Sequence, residues 1–189
     1  MYSDPSASAT IYIRAVVDAA GALQNRAGPP SDIEDAAVSL SPDQLIVTTT
    51  AGAVDQGAVS FPAQPGDLVR FYATSGSNNF EDAALLAKVV AFGGDPILHD
   101  LADVELTQTE IVPDPQSAEK IQEPVEQDFW FWQGAVAGEG SQRCRLLLSL
   151  YARDENTGQP RFAGLFRTDL QLTVSSSLPP EAEPQEGAS

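Results

Sequence analysis

The most regular feature of the chain is alternation. In Thr10-Ile11-Tyr12-Ile13-Arg14-Ala15-Val16-Val17-Asp18, the residues Ile11, Ile13, Ala15 and Val17 recur at every second position. That spacing places them on one face of a half-buried strand. Gly28-Pro29-Pro30 then breaks the pattern, and the acidic segment Ser31 to Ala37 predicts a short helix. Leu45 to Thr50 is short and β-branched. Asp55-Gln56-Gly57 and Pro65-Gly66-Asp67 are turn signals that precede strands at Ala58 to Phe61 and Leu68 to Ala73. Ser75 to Asp82 is a polar loop. Ala83 to Phe92 opens with helix-forming alanines and leucines, but Val89-Val90 and the stop at Gly93-Gly94 favour a buried strand. Val104 to Val112 predicts another strand, ending at Pro113. Phe129 to Val136 and Arg143 to Tyr151 read as a hairpin closed through Gly138-Glu139-Gly140-Ser141. A second hairpin turns at Asp154-Glu155-Asn156-Thr157-Gly158 and returns through Arg161 to Phe166, and Leu170, Leu172 and Val174 alternate in the final strand.

Short strands, frequent turns and little helix predict an all-β fold, an antiparallel β-sandwich of which a jelly roll is one form. The expected organisation is a flexible N-terminus over residues 1–8, a single sandwich domain over 9–175, and a disordered acidic tail rich in Pro, Glu and Ser over 176–189. No internal repeat stands out.

Charge narrows the functions. The 189 residues carry 27 acids against 10 bases, a net charge of -17. An isoelectric point near 4.1 argues against nucleic acid, whose phosphates require a basic surface. From Asp95 to Asp128 there are ten acids (Asp95, Asp100, Asp103, Glu105, Glu110, Asp114, Glu119, Glu123, Glu126 and Asp128) with Lys120 as the one base. This stretch reads first as a solvated surface loop, and otherwise as a cation site or a pH-sensitive patch for self-association. No run approaches the length of a bilayer span, so no membrane partner is expected. An acidic start where a secretory leader would be basic, and a single cysteine, Cys144, suit a cytoplasmic protein.

Reactive groups are scarce. His99 is the one histidine, without a nucleophile elbow, and reads as a surface residue beside Asp100. Cys144 lies between Arg143 and Arg145, but on a strand those arginines take the opposite face, so a buried, inert thiol is expected. Gly93-Gly94-Asp95 lacks the Lys-Ser/Thr of a phosphate loop. An enzyme is not expected. Two features suit binding. Asn78, Asn79, Glu81 and Asp82 carry oxygens of the kind calcium takes, though without EF-hand spacing, and calcium is the one cofactor considered. Phe129-Trp130-Phe131-Trp132 puts the tryptophans on one face and the phenylalanines on the other. One pair should fill the core, while the other needs cover from the chain's own loops, a second copy or a ligand such as a sugar ring.

The order of these segments resembles the PixA/AidA inclusion-body protein family. The likeness is carried by Pro65-Gly66-Asp67-Leu68-Val69-Arg70-Phe71, the loop through Ser77, Asn78, Asn79 and Asp82, and Ala83 to Phe92 with Gly93-Gly94-Asp95. It continues from the aromatic strand at Phe129 through Leu146 to Tyr151, Arg153-Asp154-Glu155-Asn156 and Gly164 to Val174, and the Ile11 to Asp18 strand fits too. It covers roughly residues 9–175. Family members often carry Tyr-Pro-Asn-Pro where this chain has Gly28-Pro29-Pro30, and methionine poverty is shared with some members. The resemblance implies an abundant bacterial cytoplasmic protein, under quorum or growth-phase control, that forms inclusions. Two function classes follow: a non-enzymatic, self-associating homo-oligomer, or a lectin-like carbohydrate-binding module built on the Ser75 to Asp82 loop and an exposed tryptophan.

Overall fold

The computed structural model describes residues 8–26, 34–113 and 122–176. The strands are β1 (Thr10–Val17), β2 (Val38–Ser39), β3 (Leu45–Thr49), β4 (Ala53–Asp55), β5 (Ala58–Pro62), β6 (Leu68–Ser75), β7 (Ala83–Gly94), β8 (Leu98–Pro113), β9 (Gln122–Val136), β10 (Gly140–Arg153) and β11 (Pro160–Ser175). One sheet has the order β3-β1-β6-β9-β8, the other β4-β5-β11-β10-β7 with β2 also on β11. They pack face to face as a sandwich, as the alternation implies. Ile11, Ile13, Ala15, Val69, Phe71 and Val136 from the first sheet meet Val59, Phe61, Leu86, Leu146, Leu148, Leu150, Phe166 and Leu172 from the second in one buried cluster. The expected flexible termini fall on residues outside the described set, apart from Ser8 and Ser176.

The sheets are mixed where antiparallel ones were expected. β1 runs parallel to β6, and β11 runs parallel to β2 and β5. Alternation reports which face a side chain takes and is silent on strand direction. Parallel neighbours also need a long crossover, here the connection from Val17 to Leu68, which passes through the second sheet.

A second correction concerns β9 and β10, which are not a hairpin. β9 bonds to β6 and β8 in the first sheet, while β10 bonds to β7 and β11 in the second. The glycine-bearing segment from Ala137 is therefore a crossing between sheets. It runs beside the other crossing, from β7 to β8, and the two are stitched together. Asp95 N–H donates to the Ser141 carbonyl at 2.7 Å, Ser141 N–H donates to Asp95 Oδ2 at 3.1 Å, and Leu98 N–H donates to the buried Gln142 Oε1 at 3.1 Å. Gly94 closes this corner at φ +86°, where a Cβ would lie 2.2 Å from the Ser141 carbonyl oxygen, so no larger residue fits. The strand thus runs through Gly93 and ends at Gly94.

Two shorter elements also differ from expectation. Of the helix expected over Ser31 to Ala37, the described part is a single 3-10 turn, Glu34–Ala36, and residues 31–33 lie outside the described set. An unforeseen α1 (Ala19–Gln24) follows β1. It is capped by Asp18, whose carboxylate accepts from Gly21 N–H at 3.0 Å, and it buries Ala19 and Ala22.

Candidate functional site

The acidic stretch holds the strand expected over Val104 to Val112, within β8, and pairs it with an unexpected extension of β9 over Gln122 to Asp128, so that a long two-stranded arm stands where a surface loop was the first reading of the rest. β8 and β9 pair in register from Ala102↔Gln133 out to Pro113↔Gln122. β6 supports β9 only from Leu68↔Ala135 to Phe71↔Trp132. Beyond that point β6 pairs with β1 alone and β9 with β8 alone. Side chains 107–111 and 124–128 are exposed on both faces, which explains the missing alternation: neither face has a core to meet. The register sets each acid opposite a neutral residue. Glu105 faces Trp130, Glu110 faces Val125, Glu126 faces Thr109 and Asp128 faces Thr107, whose hydroxyl donates to it at 2.6 Å. Cross-strand repulsion between like charges is thereby avoided.

The aromatic run lies at the root of this arm, and its four rings meet different fates. Trp132 packs partly buried against the main core, and its buried Nε1 has no hydrogen-bond acceptor among the described residues. Trp130 shares its face but lies beyond the last β6–β9 pair and is 52% exposed. Phe131 is buried on the other face, beneath the Arg70 guanidinium at 4.6 Å from its ring centre, and Phe129 is half-buried. Position along the strand matters as much as face.

Where β9 parts from β6, a groove of about 340 Å³ opens. One wall is Tyr12, Arg70 and Tyr72, and the other is Leu106, Gln108, Phe129, Trp130 and Phe131. The parallel pairing sets Tyr12 beside Arg70 and Arg14 beside Tyr72, so two arginines and two tyrosines form a checkerboard. Arg70 lies 5.7 Å from the Tyr12 ring, Arg14 lies 6.0 Å from the Tyr72 ring, and the tyrosines meet edge to face at 6.5 Å. Sequence reasoning missed Tyr12, Arg14, Arg70 and Tyr72. Their spacing two apart on each strand was visible, but only the β1–β6 pairing aligns them.

The Ser75 to Asp82 loop is fastened by its own oxygens. Asn78 and Asn79 take left-handed backbone at φ 57° and 63°. Asn79 Oδ1 accepts from Ser75 N–H at 2.8 Å and Ala84 N–H at 3.0 Å, and Asn78 Oδ1 accepts from Arg14 Nη2 at 3.0 Å. These amides act as turn residues. Glu81 is exposed and Asp82 half-buried, and no group of three His, Cys, Asp or Glu side chains fit to hold a metal occurs among the described residues.

A larger cleft, about 400 Å³, has Arg26, Arg153 and Arg161 in its lining. Arg153 donates to the main-chain carbonyls of Phe80, Glu81 and Gly158, and Arg26 to that of Ala163, so these cations tie loops to the sandwich. Asp154 in the same lining accepts from Thr157 and Asn156 N–H, bonds that hold its carboxyl below the usual carboxylate range. His99 is exposed, with Nδ1 at 2.7 Å from Asp100 Oδ2.

Cys144 is fully buried in the core. Arg143 and Arg145 lie on the opposite face, 5.0 and 5.1 Å from the Phe92 ring. Burial pushes its thiol up to about 11. The native protein is therefore expected to resist thiol alkylation at neutral pH and to react once unfolded. Because the native state holds this proton more tightly, stability should fall as pH rises from the free-thiol range, about 8.5, towards 11. Timed iodoacetamide labelling and urea titrations at stepped alkaline pH check both.

Comparison with known proteins adds the following. A model of the PixA inclusion body protein family matches residues 9–174. The comparison with curated proteins finds no match. Among solved structures, the chain is similar to the crystal structure of an inclusion body protein (PixA) from Burkholderia cenocepacia J2315, at 19% identity and a TM-score of 0.69, covering 92% of this chain and 100% of that one. At that identity the structural likeness speaks for the fold, while the family match extends over nearly all of the sandwich. The chain belongs to the PixA inclusion body protein family.

Proposed function

We propose that this protein acts through self-association, as a non-enzymatic building block of cytoplasmic inclusions under growth-phase or quorum control, and that the β8–β9 arm is its principal contact. The observation that carries this reading is the arm itself. It is exposed on both faces and bears three of the large exposed hydrophobics, Ile111, Val125 and Trp130 at 54%, 42% and 52% exposure. β8 is also an edge strand of its sheet, and a long edge is a template for another chain. An isolated two-stranded ribbon is marginal in water, so covering it is favourable.

Acid residues hold this edge in check. Asp100, Asp103, Glu105 and Glu110 on β8 guard it, and a net charge of -17 keeps copies apart while unscreened. Salt of about 0.1 M shortens the reach of that repulsion to about 10 Å. Assembly is therefore expected to rise with added salt, with divalent cations, and as pH falls from neutrality towards the isoelectric point of about 4.1. Static light scattering at fixed protein concentration tests this. A chain that stays monomeric at high concentration under all these conditions contradicts it.

A further inference from the structure

We propose that the groove between β6 and the root of the arm binds a small planar aromatic carboxylate, a property separate from assembly. Arg70 is the centre of the site. Its Nε–H donates to Gln133 Oε1 at 2.8 Å and an Nη1–H donates to Tyr12 Oη at 3.2 Å. Both partners are neutral, and they fix the plane of the guanidinium. A guanidinium carries five N–H donors, and these bonds use two.

The cation has no counterion among the described residues. Ion pairs there join Lys88 to Glu34, His99 to Asp100 and Arg145 to Asp169, and none reaches Arg70 or Arg14. Arg14, beside the groove, is likewise bonded through Nη2 to a neutral amide, Asn78, and its buried Nε has no acceptor. Two positive charges without an acid are notable where acids outnumber bases 27 to 10. They make this wall of the first sheet electropositive within an acidic surface, which selects an anion. A fixed guanidinium fork receives a carboxylate through two parallel hydrogen bonds.

The rest of the lining selects what the anion is attached to. Tyr12, Tyr72, Phe129 and Phe131 offer ring faces and edges around a volume of about 340 Å³, at the small end of ligand sites. One aromatic ring fits such walls by offset or edge-to-face contact. A bare inorganic anion would leave the rings without purpose. A sugar needs several convergent polar groups for its hydroxyls, and the groove supplies few beyond Gln108, Arg70 and the tyrosine hydroxyls. Ring and carboxylate together use what is present.

Sodium benzoate is the probe, followed by calorimetry and by the emission of the two tryptophans, with benzamide, sodium acetate and methyl glucoside as comparators. Benzoate should bind saturably with a dissociation constant on the order of 1 mM. Benzamide and acetate should each bind at least about tenfold more weakly, and the glucoside should not bind. Arg70→Gln should cost benzoate about tenfold, and Tyr12→Phe, which frees the guanidinium from one tether while keeping the ring, should cost less. Circular dichroism confirms that each variant keeps its sheet content, and should Arg70→Gln fail to fold, Tyr12→Phe and the benzoate–benzamide ratio decide. Equal binding of benzoate and benzamide, unchanged affinity in folded Arg70→Gln, or saturable binding of the glucoside would overturn the assignment. So would benzoate binding that weakens as protein concentration rises, because the groove would then hold a second copy.

Discussion

Phe71→Ala is expected to lower the unfolding free energy by about 3–5 kcal/mol, the range for removing a buried phenylalanine from a core that cannot close the gap. Phe71 is fully buried in β6, the central strand of its sheet. It is paired with Ile13 of β1 on one side and Trp132 of β9 on the other. Both neighbours belong to strands held along their length by further pairing, so the void would persist. With a typical domain stable by only about 5–15 kcal/mol, the variant would stand close to unfolding. The control is Phe80→Ala. Phe80 is 77% exposed, and its loss should change stability by no more than about 0.5 kcal/mol. Urea unfolding of the three proteins with an unchanged slope gives the measurement. A cost below about 1 kcal/mol for Phe71→Ala would mean that the packing described for the first sheet is wrong.

How much of this was legible beforehand follows from what a side-chain pattern encodes. β1 and β10 were readable because each has one buried face. Ile11, Ile13, Ala15 and Val17, and Cys144, Leu146, Leu148 and Leu150, point into the core at alternate positions. The turn at Asp154 to Gly158 was readable because its residues act locally, with Asp154 Oδ1 accepting from Asn156 and Thr157 N–H. Partner choice was not. The backbone bonds that set β9 against β6 and β8, and β10 against β7 and β11, leave no mark on which residues are apolar, so two strands adjacent in sequence read as a hairpin. The arm is legible on one side alone. Val104 to Val112 reads as a strand from its β-branched residues and the stop at Pro113, whereas Pro124 to Asp128, with neither face buried, has no alternation, and there polar strand and polar loop look alike.

The groove shows the same division. The aromatic strand from Phe129 drew attention as a run of large rings, and the structure places three of them in the lining. The opposite wall depends on Tyr12 lying beside Arg70, residues 58 apart in sequence, through a parallel pairing that nothing local announces.

The second large effect concerns assembly. Replacing residues 107–128 by an Asn-Gly turn would join Leu106 to Phe129, which already face each other. The described residues removed pair with one another and with nothing in the sandwich, so its unfolding free energy should change by no more than about 1 kcal/mol. The excision also takes away Ile111, Val125 and most of the arm's acids. Loss of acids alone would favour association by reducing repulsion, whereas loss of the contact surface would prevent it. The two effects have opposite signs, which makes the variant decisive between them.

Sedimentation velocity of the native and arm-shortened proteins, at neutral pH in low and in moderate salt, tests the central claim most directly. The native chain should sediment as monomer in low salt and as larger species in moderate salt, while the shortened chain stays monomeric in both. A shortened chain that assembles as readily as the native one would contradict an arm-mediated contact, and a native chain that remains monomeric throughout would contradict self-association itself.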